Sequence, residues 1–101
     1  MAEKRTRNVS VQVLPFTDDV FRVVDKAIET IHASGVKYEV GPLETTLEGD
    51  DLDQLLEVAK AAHRVCFEAG AGAVVTVIKI ADALDGTSIE QKVGKYRKAG
   101  S

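Results

Sequence analysis

The sequence predicts an α+β domain with the element order strand, helix, strand, strand, helix, strand, followed by a short last helix. Three patterns lead there. Val9, Val11 and Val13 alternate with Ser10, Gln12 and Leu14, and the stretch from Lys37 to Glu48 alternates again around Gly41-Pro42; a period of two separates the faces of a strand. Two longer segments repeat apolar residues at three and four, the period of a helix with one buried face. Ala73 to Ile80 is an almost continuous β-branched run, the mark of a strand.

Val9–Leu14 forms a half-buried strand that ends at Pro15, since proline has no ladder donor. Thr17 caps the first helix, with Asp18 and Asp19 in the first turn where the dipole favours negative charge. That helix runs from Asp18 to Ser34, carries Val20, Phe21, Val24, Ile28 and Ile31 on its apolar face, and stops at Gly35. Tyr38 and Val40 then interleave with Lys37 and Glu39. Past the Gly41-Pro42 turn, Thr45 and Leu47 interleave with Glu44, Thr46 and Glu48. Asp50 or Asp51 caps the second helix, whose Leu52, Leu55, Leu56, Ala59, Ala62, Val65, Cys66 and Phe67 recur at helical spacing until Gly70. The run Ala73–Ile80, interrupted only by Lys79, reads as a strand covered on both faces. Asp85-Gly86 turns the chain. Ser88 with Gln91 makes a capping-box pattern for a short helix bearing Ile89, Val93 and Tyr96.

Length and composition bound the function. A chain of 101 residues has room for one core, so 1–101 is a single domain, with 1–8 and 98–101 as flexible tails. A net charge of -3 gives no general attraction to nucleic acid or to an anionic membrane, and the basic residues near each end read as solvated. Cys66 is the sole cysteine, which rules out an internal disulfide and a multi-cysteine zinc site. Neither an apolar leader nor a bilayer-length run is present, so the expected location is cytoplasmic.

The element order is that of a ferredoxin-like βαββαβ fold. Right-handed crossovers put both long helices on one face of a four-stranded antiparallel sheet and leave the other face open. With the first and third strands central, Ser10 and Gln12 neighbour Thr46 and Glu48 on that open face. Val75, Val77 and Leu14 share it as an apolar patch, which predicts self-association.

Five stretches carry a resemblance: Val-Ser-Val-Gln-Val-Leu-Pro at 9–15, Lys-Tyr-Glu-Val-Gly-Pro-Leu-Glu-Thr-Thr-Leu-Glu-Gly at 37–49, Ala61-Ala62-His63, Val-Val-Thr-Val-Ile-Lys-Ile at 74–80 and Ser-Ile-Glu-Gln-Lys-Val at 88–93. Together they resemble the thiamine-binding protein family. The similarity runs from about Val9 to Tyr96, nearly the whole chain. It implies a ferredoxin-like protomer assembled into dimers or tetramers that binds thiamine or its hydroxymethylpyrimidine precursor, with no known reaction and no cofactor.

An aminopyrimidine offers ring-nitrogen acceptors and an amine donor, which a carboxylate suits. Glu48 is the first choice for that carboxylate, with Thr46 and Ser10 supplying hydroxyls, Gln12 an amide and Tyr38 a stacking ring. Alternation, however, points Tyr38 to the helix side. Glu39 and Lys79 complete the candidate set, Lys79 either pairing with a strand-face glutamate or reaching solvent. Other chemistries have weaker support. Gly70-Ala71-Gly72 follows a helix and precedes a strand, the wrong order for a phosphate loop, and His32 and His63 lack spaced companions for a metal. An RNA-recognition module shares the topology but needs aromatics on the central strands. The main alternative is an oligomeric structural or regulatory module without a small-molecule ligand.

Overall fold

Two aspartates decide where the helices begin. In the computed structural model, which describes residues 5–86 and 88–90, Asp19 accepts the backbone N–H of Arg22 at 3.2 Å, and Asp51 accepts that of Gln54 at 3.2 Å. These caps start α1 (Val20–Ala33) and α2 (Leu52–Glu68). The expected Thr17 cap is displaced by two residues, because the Thr17 hydroxyl instead accepts the Asp19 backbone N–H ahead of the helix. Around the helices lie β1 (Arg7–Phe16), β2 (Lys37–Val40), β3 (Thr45–Gly49) and β4 (Ala73–Ala81). The sheet order is β2-β3-β1-β4 and every neighbouring pair is antiparallel, so the ferredoxin-like βαββαβ topology is present with both helices on one face.

The core forms where that face meets the helices. Val9, Val11 and Leu47 from the central strands join Val23, Ala27 and Ile31 of α1 and Leu55, Ala59, Ala62 and Cys66 of α2 in one buried cluster. Burial pushes the Cys66 thiol above its ordinary pKa, which keeps it protonated and inert. Among the described residues no helix is long and apolar enough to cross a membrane.

Four further expectations need correction. On α1, Phe21 is 85% exposed, because it lies two residues, about 200°, from the buried Val23 at the 3.6-residue helical period. The stripe that faces the sheet is centred on Val23, Ala27 and Ile31. On β1, the strand starts at Arg7 and runs through Pro15 to Phe16. Its pairing with β3 ends at Val11, so beyond that point one side is unpaired and a missing N–H costs nothing there. Residues 5–8 are not a loose tail: Arg5 and Arg7 pair with Asp82 at 2.8 and 3.3 Å, and Arg7 donates to the Asp50 carbonyl at 2.8 Å. Finally, β4 is an edge strand with one bare face rather than a doubly covered one. Val75 and Val77 stand 48% and 40% exposed, since β-branched residues suit any pleated strand, covered or not. The expected last helix, Ser88–Arg97, lies mostly outside the described residues; Ile89 and Glu90 are helical and Ile89 is buried.

Candidate functional site

Cross-strand register sorts the open face into rows, since residues opposite one another in a ladder share a face. One row reads Lys37, Glu48, Asn8, Ala81 across β2, β3, β1 and β4; the next reads Glu39, Thr46, Ser10, Lys79. Gln12 and Val77 pair in the third, and Leu14 and Val75 in the fourth. The face is thus polar at one end and apolar at the other. Six of the seven sequence-predicted residues share it, and the register alone separates Tyr38. Paired with Leu47, Tyr38 turns to the helix side, where its hydroxyl meets His32 Nδ1 at 2.9 Å.

The polar end holds a cleft of about 330 Å³ lined by Asn8, Ser10, Glu44, Thr46 and Lys79, with Ile80 and Ala81 along its wall. Ser10 is 8% exposed, and its Oγ has no hydrogen-bond partner among the described residues. Leaving a buried hydroxyl unsatisfied costs about 1–3 kcal/mol, and the group can both donate and accept. Ser10 is one of the residues on that lining.

Glu48, the first choice from sequence, is committed elsewhere. Its Oε1 accepts from Asn8 Nδ2 at 3.2 Å and from the Ile89 backbone N–H at 2.5 Å, while Oε2 pairs with Lys37 Nζ at 2.9 Å. Burial works to raise its pKa. The hydrogen bonds from Lys37, Ile89 and Asn8, together with the Lys37 charge, outweigh burial and hold the carboxyl below its ordinary value. Glu48 therefore ties the chain at Ile89 to the sheet, and it does not line the cleft.

The carboxylate that does line the cleft is Glu44. The Gly41 N–H donates to the Glu44 carbonyl at 2.8 Å, and a Cβ at Gly41 would stand 2.9 Å from that oxygen, so glycine is what lets the turn close and set Glu44 beside β3. Its Oε2 pairs with Lys79 Nζ at 3.2 Å. Glu44 and Asn8 were both legible: Glu44 continues the 44, 46, 48 phase and Asn8 the 8, 10, 12 phase. Asn8 fell in the charged stretch read as a tail. Gln12, though on the open face, lines a second and smaller cavity of about 130 Å³ between α1 and the 41–44 turn, walled mainly by Val11, Val13, Val24, Ile28, Ile31 and Leu43. Glu39 lies on β2, opposite Thr46 and outside the cleft lining. His63 holds Thr76 Oγ1 at 2.6 Å, and no cluster of three metal-ligating side chains occurs among the described residues.

Comparison with known proteins gives one consistent answer. The profile of a family described as thiamine-binding protein matches residues 9–97. A UPF0045 protein of Clostridium perfringens is 50% identical over 94 residues, covering 91% of this chain and 98% of that one. Among solved structures, a domain of unknown function from Bacillus cereus superposes with a TM-score of 0.88 at 49% identity, over 98% of this chain and 97% of that one. A Thermotoga maritima protein described as a candidate thiamine biosynthesis/salvage protein superposes with a TM-score of 0.81 at 37% identity, over 91% and 99% of the two chains.

Proposed function

This chain belongs to the thiamine-binding protein family, and we propose on that premise that it is a non-catalytic binding protein for thiamine or its hydroxymethylpyrimidine moiety, held in the open-face cleft. The observation that carries the reading is the buried, unpartnered Ser10 hydroxyl on the cleft wall, flanked in register by Thr46 and Lys79. Buried polar groups are satisfied in folded proteins as a rule, so a hydroxyl left over beside a cavity is open to a hydrogen bond with water or with a ligand that displaces it. Thr46 adds a second hydroxyl, Asn8 an amide and Glu44 the carboxylate that an aminopyrimidine needs.

The apolar end of the same face supports placing the cleft beside a subunit interface. Leu14, Phe16, Val75 and Val77 are exposed there by 41%, 62%, 48% and 40%, and a second subunit covering them would shield the neighbouring polar end from water. The same patch favours a second reading, an assembly module without a ligand. Calorimetric titration of ligand-free protein with thiamine and with the free hydroxymethylpyrimidine separates the two. Binding is expected, weakened in Ser10→Ala by about 0.5–1.5 kcal/mol, the usual net worth of one hydrogen bond. No heat with either ligand leaves the assembly module standing, and equal affinity in both proteins removes Ser10 from the site.

A further inference from the structure

We propose that Lys79 is a built-in stand-in for the ligand's positive charge, holding Glu44 when the cleft is empty and yielding it to an organic cation. The inference rests on the binding reading above and adds to it the residue that holds the cleft carboxylate when no ligand is bound.

Geometry carries the first step. Lys79 sits on β4 and Glu44 just ahead of β3, with β1 between them in the sheet. Strands lie about 4.7–4.9 Å apart, so the two backbones are separated by about two such spacings and their side chains meet only by crossing over β1. Lys79 pairs in register with Ser10, whose hydroxyl has no partner among the described residues, and both line the cleft with Glu44. A cation bound by Glu44 and a hydrogen-bonding group reaching Ser10 would thus sit in the same cleft.

Charge carries the second. Glu48 is engaged by Lys37, Asn8 and Ile89, which leaves Glu44 as the carboxylate on the cleft lining. An anionic ligand would meet that carboxylate; a cationic amino-heterocycle replaces one positive partner by another. The exchange is cheap on the protein's side, because the Lys79 side chain is 66% exposed and its ammonium returns to water on a flexible stem. It is also selective: a simple ammonium ion gains no more from Glu44 than Lys79 already provides, whereas a ligand that also satisfies Ser10 gains a hydrogen bond Lys79 leaves unmade.

A lysine on an edge strand has another ordinary use, which is to discourage edge-to-edge pairing. The two roles part in a double-mutant cycle read by calorimetric titration with thiamine. As an internal competitor, Lys79→Met should bind thiamine about 1.5- to 5-fold more tightly, the range an exposed ion pair corresponds to. Glu44→Gln should bind at least about tenfold more weakly, and adding Lys79→Met to Glu44→Gln should bring no further gain. Unchanged or weaker affinity in Lys79→Met overturns the inference, and so does an equal gain in the Glu44→Gln background; edge protection alone would give unchanged affinity with increased aggregation. If none of the four proteins binds thiamine, the binding reading itself falls, and this inference with it.

Discussion

Glu48 shows how one buried carboxylate can be occupied entirely by the fold. Its folded pKa is held below the ordinary value of 4.5, so the group stabilises the protein above that value and loses its contribution as pH falls through the lowered one. Urea unfolding followed from pH 7 down to about pH 3 should show wild type losing stability in this acid window more steeply than Glu48→Gln. At pH 7 the variant should be weaker by about 1.5–3 kcal/mol, the range for hydrogen bonds to a charged group. Parallel curves for the two proteins would mean that Glu48 carries no linked charge. Thiamine affinity, in contrast, should follow Ser10 and Glu44, which line the cleft, more closely than Glu48, which does not.

At the scale of elements, β1 and β4 decide what the open face offers. β1 outruns β3 by five residues, Gln12 to Phe16, and β4 follows it to the end, so the face passes from polar rows at Asn8 and Ser10 to apolar rows at Leu14 and Phe16. If that apolar end is an interface, sedimentation at micromolar concentration should show a species heavier than the 10.9 kDa chain, and Val77→Lys should shift it toward that mass. A wild type that sediments only as the single chain removes assembly from the proposal. Much of this was legible, because alternation is local: Ser10 and Gln12, and Thr46 and Glu48, fall in phase without any knowledge of pairing. What depends on distant partners was not. The N–H that occupies Glu48 comes from Ile89, 41 residues away, and Pro15 stays in its strand only because β3 has already ended beside it. Phe21 misled for a different reason, since a run of apolar residues wide enough to cover half a helix does not say which line within it faces the sheet.

At the scale of the whole molecule, two cavities bear on where a ligand would sit: the polar open-face cleft and the smaller apolar cavity between α1 and the 41–44 turn, with Glu44 on the lining of both. An apolar cavity of about 130 Å³ is near the size known to admit a small ring without any polar anchor, so volume alone does not choose between them. The proposed reading favours the first, because Ser10, whose hydroxyl has no partner among the described residues, is on its lining. A crystal structure of the protein grown with thiamine decides the matter directly. The ligand is predicted in the open-face cleft, with one of its polar atoms about 2.7–3.2 Å from Ser10 Oγ and Lys79 drawn off Glu44. Thiamine lodged in the cavity under the 41–44 turn, with Ser10 still unpartnered, would contradict it.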